Sequence, residues 1–322
     1  VIDAPAHDGS GPGTPLPGPE PGAVARAGRR SRTPGARFTR RLPRPDGTLV
    51  ALAVFLAFVA VFLLWPAAVV VWNAVVPHGT FTLDSMARAV TGPFRSPFRN
   101  SLVLSGASAL VGGVLGLLLA LAVRDLRRPR WLRPAIDAWC SVASQLGGVP
   151  LAFAFVAALG TQGVVTKALK AVGIDLVGSG FSLSSMAGMV LVYLYFQIPL
   201  MFLVVMPAVA GLRETWREAA TLMGASPARY WATVAAPLLV PPVLGGMLLL
   251  FINAFSAYAT AYVLDSSGQL VPLQIRFVLQ GNVITGQQDV GYALVTWTIA
   301  LLLGGLVLMT VLQRRAARWA DA

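Results

Sequence analysis

The chain has 322 residues, 56% of them hydrophobic and only 12% charged, with a mean hydropathy of +0.70. That balance excludes an ordinary soluble domain. The formal net charge of +12 does not point to nucleic acid, because every Lys and Arg lies in a tail or connecting loop and no soluble basic face with stacking aromatics exists.

Residues 1–47 hold nine Pro and eight Gly with no periodic apolar pattern, so a disordered tail is expected. Eight Arg fall between Arg26 and Arg44, which suits a solvated tail that helps fix membrane topology. The apolar run that follows is too long for a signal-peptide core, and no small-residue cleavage site follows it, so no cleaved leader is expected. Residues 48–322 then form the membrane domain.

Six stretches reach the roughly 20 residues needed to cross about 30 Å of hydrocarbon. They cover 49–76, 101–123, 136–160, 186–212, 234–264 and 291–312. Backbone in lipid must satisfy its own hydrogen bonds, so the spacing predicts an all-α integral membrane fold with six transmembrane helices. Gln145, Gly147, Gly148 and Pro150 interrupt the third stretch. Pro237, Pro241 and Pro242 predict a bend near the start of the fifth.

Counting Lys and Arg in alternate loops sets the orientation. Nineteen fall on the side of the N-tail, loop 124–133, segment 213–237 and the C-tail, against six on the other side. Without the tail the count is eleven to six. Both termini and segment 213–237 are therefore expected in the cytoplasm of a multi-pass plasma-membrane protein. Arg outnumbers Lys 23 to 2, which fits a GC-rich bacterial genome.

The chemistry of soluble enzymes is absent. Cys140 is the lone cysteine, so neither an internal disulfide nor a thiolate metal cluster can form, and His7 and His78 make no metal site. No catalytic cluster of His, Cys or carboxylates converges at one membrane face, which disfavours a membrane enzyme. No Gly-x-x-x-x-Gly-Lys-Ser/Thr motif occurs, so this chain cradles no nucleotide by that route. No ionisable residue lies well inside a span, with Asp137 only at the edge of the third, which disfavours an ion-coupled carrier.

Residues 218–237 read EAATLMGASPARYWATVAAP, a polar, helix-prone segment between two apolar stretches. It resembles the EAA loop of ABC importer permeases: Glu-Ala-Ala, three residues, Gly, nine residues, Ile-x-Leu-Pro. Glu218, Ala219, Ala220, Gly224 and Pro237 fall in register, Val234 stands for the Ile, and Ala236 replaces the Leu. Helix-forming residues 216–223 should end at Gly224 in a left-handed position. Ser226 as N-cap and Pro227 at the first helical position should restart a short helix through Ala232. Two short helices along the membrane surface are thus expected. The resemblance implies that Glu218, Ala219, Ala220 and Gly224 couple the chain to an ATPase dimer. It also implies a type I importer permease fold, with no cofactor in this chain and ATP and Mg on the partner.

Polar residues at depth are Ser141, Ser144 and Gln145 in the third span, Gln197 in the fourth, and Asn253, Ser256, Tyr258 and Thr260 in the fifth. A passage lined by Gln145, Gln197 and Asn253, with Tyr258 closing one end, is one reading. The other is that these groups hydrogen-bond helix to helix. Gly112, Gly116, Gly245 and Gly246 read as close-packing contacts. Without buried charge the passage should bind cargo weakly, leaving selectivity to an extracytoplasmic solute-binding protein.

Three further segments are similar to the spermidine/putrescine, ferric-iron and phosphonate group of permeases. They are Phe98-Arg99-Asn100-Ser101, Leu159-Gly160-Thr161-Gln162-Gly163 and Phe255-Ser256-Ala257-Tyr258. This resemblance implies polyamine-type cargo first, with 2-aminoethylphosphonate or ferric iron as alternatives. It also implies a second permease subunit, in a heterodimer or alternatively a homodimer.

Overall fold

The computed structural model describes residues 47–126, 129, 131–265, 268–280 and 288–320. The tail expected to be disordered lies outside them, apart from Gly47. The chain divides at Val54–Phe55 into two units, the first described only over 47–54 and the second, Phe55–Ala322, carrying the bundle.

Among the described residues every regular element is helical. The chain begins with α1 (Gly47–Val59), a π-turn (Ala60–Leu64) and α2 (Trp65–Val75). There follow α3 (Asp84–Val90), α4 (Arg95–Arg124), α5 (Leu132–Ala143), α6 (Val149–Leu159) and α7 (Val164–Ala171). The second half holds α8 (Met186–Ala210), α9 (Glu214–Leu222), α10 (Pro227–Tyr230), a second π-turn (Trp231–Ala235), α11 (Ala236–Ser256), α12 (Tyr258–Leu264), α13 (Val271–Leu279) and α14 (Gln288–Ala320). Six of these segments are long and apolar enough to cross a membrane: Leu49–Val75, Gly92–Arg124, Val149–Ala171, Met186–Ala210, Pro227–Ser256 and Gln288–Arg314.

The centre of the bundle is α4 packed on α8 and α11, with α14 on the far side of α11 and α2 and α3 against α14. Apolar side chains gain nothing by leaving lipid for a helix interface, so close backbone approach must hold the centre together. Glycines supply it. A Cβ on Gly116 would sit 2.5 Å from Met201 Cβ, and one on Gly112 would sit 2.9 Å from Gln197 Cβ. Gly246 meets Met201 in the same way, whereas a Cβ on Gly245 would make only ordinary contacts.

The third span, expected over 136–160 with an interruption at Gln145–Pro150, is broken there between α5 and α6, and the segment long and apolar enough to cross a membrane is Val149–Ala171. Gly148 causes the break: its φ of 77° and ψ of −150° suit glycine alone, and Pro150 removes a donor from the next turn. In the fifth span the proline cluster leaves the helix continuous. It runs unbroken from Pro227 to Ser256, and the π-turn just before Pro237 widens the turn that the ring would otherwise clash with. The helix breaks instead at Ala257, whose ψ of 91° leaves the helical region.

A side chain pairs with exposed backbone at each break. The Gly148 amide donates to Thr260 Oγ1 at 2.9 Å, and the hydroxyl points back to the Gly148 carbonyl at 3.4 Å. The Tyr193 hydroxyl donates to the Ala257 carbonyl at 3.0 Å. Low-dielectric surroundings make such pairing obligatory.

Candidate functional site: an exposed elbow joined to a broken span

Segment 213–237 folds as an elbow. Helix α9 closes on Gly224 at φ +77°, with the Ala225 amide donating to the Ala220 carbonyl and the Gly224 amide to Thr221, which together form a Schellman close. Ser226 caps the next helix by accepting from the Arg229 amide at 3.3 Å, with Pro227 in its first turn. The expected stop at Ala232 does not occur. Helix α10 passes through the π-turn into α11 with no non-helical residue between them, so the elbow's second arm is the start of the fifth span.

The elbow is fastened to the bundle from beneath. Leu212, Ala220, Tyr230 and Ala235 are buried in the core that holds Met201, Phe202 and Val205 of α8. Arg124, at the end of α4, donates to the Leu212 carbonyl at 2.8 Å. Ala220 thus faces inward as a packing residue, while Glu218, Ala219 and Gly224 are exposed. Glu218 takes no hydrogen bond or ion pair from the described residues. Beside it, Arg217 and Glu214 pair at 3.8 Å with both side chains largely in solvent, an interaction of little energetic weight.

The elbow also presents two residues that sequence reasoning missed. Leu222 and Met223 are 89% and 81% exposed, next to Gly224. Both are bulky apolar side chains that the rest of the chain leaves uncovered. The available signal was their presence in an otherwise polar stretch.

The four residues expected along a passage differ in their surroundings. Gln145 is exposed at the break after α5, and Asn253 is half-buried on α11, four residues before the second break. Gln197 is fully buried, and its Nε2 donates to Ser108 Oγ of α4 at 2.7 Å while Oε1 has no partner. In this conformation Gln197 joins helices and faces no open space, which is the alternative reading for a polar residue at depth.

Tyr258 opens α12, and its hydroxyl accepts from Arg276 Nη1 of α13 at 2.9 Å. Its ring stacks on Tyr262 at 5.6 Å, and the Arg276 guanidinium lies 4.3 Å from the Tyr262 ring centre. Tyr262 first, then Tyr258, hold the Arg276 pKa above its ordinary value, so this charge is permanent.

Residues 112–320 match the model of the family described as binding-protein-dependent transport system inner membrane component. The chain belongs to that family. The match includes the whole elbow and both broken spans, and the expectation drawn from the EAA-like segment holds at family level. Among curated proteins, this family member is 28% identical over 181 residues to the "Molybdenum transport system permease protein ModB" of Mycobacterium tuberculosis (strain ATCC 25618 / H37Rv). That match covers 54% of this chain and 65% of the relative's length. It is 26% identical over 208 residues to a "Probable sulfate transport system permease protein cysT" of Nephroselmis olivacea, covering 63% and 68%. A chain of a crystal structure of a bacterial alginate ABC transporter, in complex with a pentasaccharide-bound periplasmic protein, aligns with a TM-score of 0.64 at 19% identity. The alignment covers 84% of this family member and 95% of that chain, so the two share a fold.

Proposed function

We propose that the chain is the membrane permease subunit of an ATP-driven importer, passing a solute from an extracytoplasmic binding protein into the cytoplasm. One observation carries this reading: an elbow rigidly continuous with the fifth span ends in an unpaired carboxylate, Glu218, and two solvent-exposed apolar side chains, Leu222 and Met223. The elbow's second arm extends through a 30-residue helix of about 45 Å to the break at Ala257. A shift of the elbow reaches that break as a rigid-body movement, and the Thr260–Gly148 pairing passes it to the break at Gly148.

In this reading an ATPase dimer, carrying ATP and Mg, seats the elbow through Glu218, Ala219 and Gly224, with Leu222 and Met223 as apolar anchors. The excess of Lys and Arg on the elbow's side supports a cytoplasmic placement for it and for both termini. A second permease, related or identical, completes the passage. Gln145 and Asn253 line it near the two breaks and Tyr258 closes one end.

Cargo is the point at which the polyamine expectation loses its support. The relatives are named for molybdenum and sulfate transport, and a polycation would meet the fixed charge of Arg276 beside Tyr258. A tetrahedral oxyanion of the molybdate or sulfate type fits better. The test is to express the chain with its genetically linked ATPase and binding protein and reconstitute the complex in liposomes. ATP-dependent uptake of molybdate or sulfate, competed by neither spermidine nor ferric iron, supports the proposal. Uptake by this chain alone, driven by an ion gradient, overturns it.

A further inference from the structure

Arg276 is the only Lys or Arg between Arg229 and Arg314. It is half-buried on α13, and among the described residues no carboxylate pairs with it. It is nonetheless held firmly. Nε donates to Gln280 Oε1 at 3.0 Å, Nη1 donates to the Tyr258 hydroxyl at 2.9 Å, and the guanidinium plane lies over Tyr262. All three partners are uncharged. They fix the position of the cation without neutralising it.

This arrangement is unusual for a structural arginine. A surface Arg that only stabilises a fold finds a carboxylate or moves freely in water, because ordering so flexible a side chain is costly. A guanidinium clamped by neutral aromatic and amide groups instead keeps its charge and its planar orientation available for an oxyanion. Its place in the fold gives that charge a purpose. Tyr258 begins α12 directly after the break at Ala257, and two residues further on Thr260 is bonded to the Gly148 break. Arg276 is thus attached to the segment where both interrupted helices meet. It sits in the connection expected on the outer side.

We propose that Arg276, clamped by Tyr258 and Tyr262, is an anion-receiving group that admits the oxyanion cargo to the passage and discriminates against cations. This rests on the importer reading above. Movement at the Ala257 break shifts Tyr258, which breaks or re-forms the clamp and so lets the anion go.

The test uses the full complex of permease, ATPase and binding protein in liposomes, with molybdate and sulfate as probes and size-exclusion chromatography to verify assembly of each variant. Arg276→Gln should cut uptake roughly tenfold or more, as loss of a charged hydrogen-bonding partner does. Arg276→Lys, which keeps the charge and loses the planar geometry, should recover a substantial part of it. Tyr258→Phe, which leaves the charge in place, should lose only about threefold, one neutral hydrogen bond's worth. If the wild-type complex carries an oxyanion and Arg276→Gln carries it equally well, this inference falls and the importer reading stands. It also falls if Tyr258→Phe matches Arg276→Gln and Lys rescues nothing, since the residue is then merely structural. If the wild-type complex transports a cation and no oxyanion, the cargo reading fails and takes this inference with it.

Discussion

The Gly148 amide and the Thr260 hydroxyl lie 2.9 Å apart and join two interrupted helices, one at the start of α6 and the other in α12. Gly148 can adopt the geometry of its break because it lacks a side chain, and Thr260 takes up the amide which that geometry exposes. Each residue makes the other's conformation affordable.

Replacing Thr260 by Val keeps the shape and removes both hydrogen bonds. The orphaned Gly148 amide should cost about 1–3 kcal/mol, visible as a lower Tm of the detergent-purified protein. Thr260→Ser restores the hydroxyl and should recover most of the loss. An unchanged Tm for Thr260→Val would mean that the two breaks are not energetically joined.

At the elbow, stability and coupling should separate. Leu222→Ser with Met223→Ser removes side chains that touch little of the folded chain, so stability should change by no more than the roughly 0.5 kcal/mol typical of surface changes, leaving Tm nearly unmoved. Co-purification with the ATPase should fall sharply, because buried apolar anchors at an interface carry about 2 kcal/mol each. Glu218→Lys should abolish ATP-dependent uptake while membrane insertion persists. Normal pull-down of the ATPase by the double variant would remove these residues from the interface.

Gln197 and Ser108 offer a test of opposite signs. Gln197→Leu removes a buried amide whose Oε1 is already unpartnered, so stability should hold or rise. Ser108→Ala strands the Gln197 amide and should cost about 1–3 kcal/mol. Uptake by Gln197→Leu should stay close to wild type. A large loss of transport in that variant with normal Tm would return Gln197 to the passage.

Orientation is testable at Ala219, which is exposed on the elbow. Native Cys140 is fully buried and should give a silent background. In Ala219→Cys, a membrane-impermeant maleimide should label inside-out vesicles and leave intact cells unlabelled. Labelling of intact cells would put the elbow on the outer face.

Much of this was legible in the chain. Span count, the elbow's Gly224 turn and its Ser226-Pro227 restart follow from hydropathy and from conformations that few residues tolerate. The facing of the helices was not legible. In water, apolar residues point inward and polar ones outward, so periodicity reveals the core; in lipid both sides of a helix are apolar, and that contrast disappears. The sequence therefore left Gln197 open between a passage and a helix-to-helix bond such as the one it makes to Ser108, and it held no signal for the break at Ala257. Arg276 was counted only as a loop charge, because its clamp brings Tyr258 and Tyr262 from a different helix.

The unbroken run from Pro227 to Ser256 has a geometric consequence. A rod of about 45 Å pivoting at its elbow end turns a tilt of about 5° into a sideways travel of about 4 Å at the far tip. That is wider than a water molecule. Small angular play at the elbow is thus multiplied into an aperture-sized step at the opposite end of the rod, and no hinge midway along it is required to produce it.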